Sequence, residues 1–98
     1  MTIRHCVMLR FTEGTSADAI DAVTTALRDL PALIPEIRVY DVGPDLGWRD
    51  DNAHFGIVAD FDDEVAWRTY VDHPAHQAAI AEHIAPIVES RTAVQFSL

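Results

Sequence analysis

Three residues of this chain combine type and spacing in a way that could support chemistry: His5, Tyr70 and His76. An imidazole held in an apolar pocket beside a phenol can accept and return a proton near neutral pH, as a general acid–base does. His76 belongs to the stretch Tyr70-Val71-Asp72-His73-Pro74-Ala75-His76-Gln77. On the helix that follows Pro74, Ile80, Ile84 and Ile87 recur as an apolar stripe. His76 lies at the edge of that stripe and can face a sheet. His5 occupies a core-facing position of the first alternating segment, and Tyr70 sits one short turn before His76. The competing reading is structural: a core histidine satisfied by one hydrogen bond, with Tyr70 as its partner.

Other candidates carry less. There is no phosphate-binding glycine loop, nucleophile elbow or zinc signature. His73 and His76 have i, i+3 spacing, but no carboxylate is placed to complete a metal shell, so neither metal nor cofactor is expected. His73 is explained by its helix boundary, and His83 falls at the far edge of the stripe, partly solvated. His54 belongs to the opposite sheet face. The acidic sets Asp45, Asp50, Asp51 and Asp60, Asp62, Asp63, Glu64 suit solvated loops and a helix N-terminus. Trp48 falls in a loop and Trp67 on a helix, and each could line a pocket or simply pack. Cys6, the only cysteine, excludes an intrachain disulfide and reads as a small buried apolar residue.

The elements that must position these residues follow from periodicity. Residues 3–11 alternate as a strand. Gly14-Thr15-Ser16 makes a turn and an N-cap, with Asp18 in the first turn of a helix built on Ile20, Val23, Leu27 and Leu30. Pro31 and Pro35 should close that helix. Strands are expected over 36–42 and 52–61, separated by a loop at 43–51. Asp62 and Asp63 cap a short helix through Tyr70 and Val71. His73-Pro74 opens another that runs to about 84–89, with Pro86 kinking or ending it. Residues 91–98 alternate as a fourth strand. The order β-α-β-β-(αα)-β is the ferredoxin-like arrangement, an α+β subunit with a four-stranded antiparallel sheet covered on one face. Ninety-eight residues make a single domain, 1–98.

A net charge of −9 argues against nucleic acid and against anionic membrane surfaces. No apolar run approaches the ~20 residues of a membrane span. Arg4, His5 and Arg10 interrupt any signal-like stretch, so a cytoplasmic location is expected.

Sorting the strands by face gives one helix-covered set: Ile3, His5, Val7, Leu9, Phe11, Ile37, Val39, Phe55, Ile57, Ala59, Phe61, Thr92, Val94, Phe96 and Leu98. The opposite set holds Arg4, Cys6, Met8, Arg10, Arg38, Tyr40, Val42, His54, Gly56, Val58, Asp60, Arg91, Ala93, Gln95 and Ser97. This second face is too apolar for a wet sheet and too polar for a dry core. It suits packing against a second copy, sheet to sheet, as a twofold homodimer.

The segments Ile3-Arg4-His5-Cys6-Val7-Met8-Leu9-Arg10-Phe11, Leu33-Ile34-Pro35, Asp60-Phe61 and Tyr70–Gln77 resemble the stress-responsive A/B barrel (Dabb) family over essentially the whole chain. The resemblance implies ferredoxin-like subunits paired into a dimeric α+β barrel. A plant polyketide cyclase belongs to the family, and similarity to it implies His76 as general base, Tyr70 as its orienting or oxyanion-stabilising partner, and His5 as a polar wall. Ala79, Ile80 and Phe55 depart from that enzyme, which implies a different pocket shape. In some members, backbone carbonyls of the region matching 31–37 hold a metal ion.

Together these readings give a pocket between sheet and helices for a small apolar or aromatic carbonyl ligand, lined by His5, Val7, Leu9, Val23, Leu27, Ile57, Tyr70, His76 and Ile80. Two function classes lead, and the His73-Pro74-Ala75-His76-Gln77 segment disfavours a third, a related dimeric ferredoxin-like monooxygenase or isomerase. One is a cofactor-free cyclase-like or isomerase-like enzyme using His76 and Tyr70. The other is a non-enzymatic, stress-responsive or ligand-binding protein in which the same residues are structural.

Overall fold

The computed structural model describes residues 1–98. Its elements run β1 (Ile3–Phe11), α1 (Ala17–Arg28), α2 (Leu30–Leu33), β2 (Val39–Pro44), β3 (Phe55–Phe61), α3 (Glu64–Asp72), α4 (Pro74–Ala79), a π-helical turn (Ile80–Ile84) and β4 (Val88–Ser97). The strands form one antiparallel sheet in the order β2-β3-β1-β4. This is the ferredoxin-like fold.

Local chemistry sets the helix starts. The Ser16 hydroxyl accepts from the Ala19 amide at 3.1 Å and the Asp63 carboxylate from the Ala66 amide at 2.9 Å, each satisfying an amide left free by the first turn. His73 caps α4 through Nδ1, which accepts from the Ala75 amide at 3.0 Å, and Pro74 takes the first position, where no N–H is needed. His73 is thus a boundary residue, as its place before proline suggests. Pro31 differs from expectation. It sits in the first turn of α2, so it starts a short helix where a stop was expected. Pro86 falls just beyond the π-helical turn, whose closing bond runs from the Ala85 amide to the Ile80 carbonyl at 2.8 Å.

Helices cover one sheet face. The core between them collects Val7, Leu9 and Phe11 from β1, Phe55, Ile57, Ala59 and Phe61 from β3, and Val23, Leu27, Leu30, Ile34, Tyr70, Ala79 and Ile84 from above. Burying one large apolar side chain contributes roughly 1.5–3 kcal/mol, so this cluster holds the helices to the sheet.

The faces of β1 and β3 are as the alternation indicates. Those of β2 and β4 are reversed. Directly opposed residues of paired strands share a face. Tyr40 opposes Ala59 and Val42 opposes Ile57, so Tyr40 and Val42 point under the helices while Val39 points outward. Gln95 opposes His5, Ala93 opposes Val7 and Arg91 opposes Leu9, so these three face inward. Thr92, Val94 and Phe96 face outward, and Leu98 lies exposed beyond the strand end. The rule that the more apolar alternate points inward fails for β4, because its apolar set lies on the uncovered face. Cys6, expected to be buried, is half-buried on that face between Val58 and Val94. His54 accepts the Phe11 amide through Nδ1 at 2.9 Å, beside the register shift at Arg10 and Phe11. No helix is long and apolar enough to cross a membrane.

Candidate functional site

A cavity of ≈ 480 Å³ opens between the sheet and the helices, within the size range of small-molecule sites. Its floor is His5, Val7 and Leu9 of β1, Ile57 of β3, and Arg91, Ala93 and Gln95 of β4. Leu27 of α1, Trp67, Tyr70 and Val71 of α3, His76 and Gln77 of α4, and Ile80 and Ile84 of the π-helical turn close it above. Eight of the nine residues expected from sequence line this space. Val23 is the exception: it is fully enclosed in the core and does not reach the cavity. Trp67, for which lining a pocket and simple packing were both open, also lines it, whereas Val71, Gln77, Ile84, Arg91, Ala93 and Gln95 were not expected. The three from β4 were hidden by the face reversal. Their period-two spacing was visible, but the choice of face was not.

His5 is buried, and its Nδ1 meets two donors, Gln95 Nε2 at 2.9 Å and Trp67 Nε1 at 3.3 Å. Indole N–H can only donate, so Nδ1 is an acceptor and the neutral ring carries its proton on Nε2. His76 has the opposite arrangement. Its Nδ1–H donates to the Val71 carbonyl at 3.1 Å, a group that can only accept. The lone pair of His76 is therefore on Nε2. Every fully buried side-chain nitrogen and oxygen has a partner, so the two free Nε2 atoms both reach accessible surface. Both histidines line the cavity, and their unpaired nitrogens are of opposite kind, an N–H on His5 and a lone pair on His76.

Electrostatics keep both rings neutral. Burial lowers the His5 pKa to about 4, with the Arg91 charge and His76 adding to the effect. His76 is also held below the ordinary imidazole value, chiefly by burial and in part by Arg91 and His73, while its bond to the Val71 carbonyl opposes the shift.

Tyr70 does not hydrogen-bond His76. Its ring packs on the imidazole, with 4.2 Å between centroids, and its hydroxyl meets that of Tyr40 at 2.9 Å. Burial raises both phenol pKa values, so both hydroxyls stay protonated. Val71, through its carbonyl, is the group that orients His76; that carbonyl also accepts from Gln77 Nε2 at 2.7 Å. In the i, i+3 histidine pair both Nδ1 atoms are engaged within the chain, that of His73 by the Ala75 amide and that of His76 by the Val71 carbonyl. No group of three or more His, Cys, Asp or Glu side chains is placed to hold a metal ion.

The family model of the Stress Responsive A/B Barrel Domain matches residues 3–98. An uncharacterized protein of Streptomyces coelicolor is 32% identical over 81 residues, which cover 81% of this chain and 84% of that protein. A crystal structure from Thermobifida fusca, described as a dimeric ferredoxin-like protein of unknown function, is 47% identical with a TM-score of 0.92, covering 100% of this chain and 92% of the other. A hydroxynitrile lyase from Passiflora edulis superposes with a TM-score of 0.84 over 99% of this chain and 93% of its own, but at 21% identity it shows a shared fold only. This chain belongs to the stress-responsive A/B barrel (Dabb) family.

Proposed function

We propose that two copies of this chain associate through their open sheet faces and that each binds a small, largely apolar carbonyl compound in its cavity, where it is activated by proton transfer. His76 Nε2 removes a proton from the carbon beside the carbonyl. That C–H bond breaks, an N–H bond forms on His76, and the released electron pair moves to the carbonyl oxygen as an enolate. His5 Nε2–H donates a hydrogen bond to that oxygen, the position where negative charge develops. Tyr70 holds the His76 ring by packing against it. Return of the proton at another carbon gives isomerisation; attack of the enolate carbon on a second carbonyl forms the ring C–C bond, moves that carbonyl's π pair onto its oxygen, and the proton on His76 passes to the resulting alkoxide.

The observation that carries this reading is the pair of complementary tautomers, an acceptor at His76 and a donor at His5, on two residues that line one largely apolar cavity. Pairing of the sheets is supported by Met8, Val39, Val94 and Phe96, large apolar residues exposed on the uncovered face, and by the dimeric Thermobifida fusca relative.

The reaction can be tested without knowing the natural substrate. Simple aryl alkyl ketones are incubated with the protein in deuterium oxide, and exchange at the carbon beside the carbonyl is followed by NMR. Exchange above the buffer rate that disappears in a folded His76→Gln variant is the expected result. Exchange at the buffer rate for every ketone that binds would replace this reading with that of a binding protein lacking turnover.

A further inference from the structure

Seven arginines, and no lysine, face sixteen carboxylates in this chain. Five of them form ion pairs: Arg4 with Asp60, Arg10 with Glu89, Arg38 with Asp62, Arg49 with Asp51 and Arg68 with Glu64. Arg28 donates to the Val42 carbonyl at 3.1 Å. Arg91 alone has neither a carboxylate nor a carbonyl partner, and it lines the cavity. With carboxylates in such excess, an unpaired guanidinium is the exception, and its position is informative.

The sheet register places it. Along the cavity floor, His5 opposes Gln95, Val7 opposes Ala93, and Leu9 opposes Arg91. Polar groups therefore mark the two ends, and the floor between them is apolar. The charge of Arg91 also reaches the interior, since it helps hold both imidazoles in their neutral forms. A guanidinium offers a planar fork of donors that matches a carboxylate.

We propose that Arg91 forms an anion-binding end of the cavity, and that the ligand is a carbonyl compound with an apolar body and a terminal carboxylate. The carbonyl part rests on the proton-transfer reading above, whereas the carboxylate contact depends on binding alone. A bound carboxylate also neutralises Arg91 and relieves its effect on His76, so the correct ligand strengthens the base that acts on it.

The test compares benzoylbutyrate, a phenyl ketone ending in a carboxylate, with its methyl ester, by NMR titration of the full-length protein. Wild type should bind the acid about tenfold more tightly than the ester, the low end for a hydrogen bond to a charged group because Arg91 is exposed. Raised ionic strength should erode that preference. Arg91→Gln should bring acid and ester to equal affinity, and Arg91→Lys should keep part of the difference. Equal binding by wild type, a preference that survives in Arg91→Gln, or no binding of either compound would overturn the proposal. Arg91-dependent binding without deuterium exchange would leave the anion site standing and remove the proton-transfer reading.

Discussion

The hydroxyls of Tyr40 and Tyr70 meet at 2.9 Å beneath the helices, joining β2 to α3. Tyr70 is almost wholly buried, and each phenol satisfies the other. Removing one hydroxyl strands its partner, so Tyr40→Phe or Tyr70→Phe should each cost about 1–2 kcal/mol in urea unfolding. The double variant should cost less than the sum of the two, because no orphan hydroxyl remains. Since the Tyr70 ring, rather than its hydroxyl, contacts His76, ketone exchange should survive in Tyr70→Phe and fall steeply in Tyr70→Ala.

Loss of the base should be the more severe change. General-base catalysis is worth about 10²–10⁴-fold, so His76→Gln should reduce exchange by that order while circular dichroism stays native. In the proposed reaction the active form of His76 is the neutral one, and burial holds its pKa below the ordinary imidazole value. The acid limb of the exchange rate should therefore have its midpoint below pH ~6.5.

Stability should also depend on pH, with a definite sign. The folded-state pKa of His5 is about 4, against 6.5 for the free side chain. Between these values the unfolded chain binds more protons, so acidification from pH ~6.5 toward ~4 favours unfolding. His76 acts in the same direction. Asp60, held below the usual carboxylate range by its paired bonds to Arg4, adds a second loss as pH falls through its own lower pKa. Replacing His5 by Gln should make the first phase shallower, leaving the His76 share, and should leave the second unchanged, as read by unfolding midpoints across pH.

In the proposed reaction, Gln95 and Trp67 would act through His5, whose Nδ1 they both meet. With Gln95→Leu and Trp67→Phe combined, nothing holds Nδ1 as an acceptor. The His5 proton should then redistribute between its two nitrogens, which long-range nitrogen–proton NMR reads directly. Exchange should drop about tenfold or more, while ketone binding changes less. An unaltered tautomer in that double variant would show that some other contact sets it.

The open sheet face yields a prediction about assembly. Val94 and Phe96 are 54% and 45% exposed on β4; Phe96 and Val39 flank the Arg4–Asp60 pair, and Val94 lies in the next cross-strand row beside Cys6. A buried carboxylate without a partner is strongly unfavourable. Val94→Glu should therefore convert a dimer to a monomer in native mass spectrometry, whereas Val65→Glu, on the outside of α3, should not. A monomeric wild type at micromolar concentration would rule out sheet-to-sheet pairing.

Much of this protein was determined by its sequence alone. Alternation in β1 and β3, the caps at Ser16, Asp63 and His73, and the stripe after Pro74 are local signals, and they specify the element order and the placing of His5, Tyr70 and His76 on the covered side. The faces of β2 and β4 were decided by tertiary structure. An alternating strand states which residues share a face but not which face is covered, and for β4 the apolar set points to the open side. That choice comes from pairing with β1, which puts Gln95 on His5 and Arg91 at the end of the cavity. The histidine tautomers are tertiary properties too. They depend on donors and acceptors at Trp67, Gln95 and Val71, two of which lie far from His5 in the chain and meet it only when the sheet and helices close.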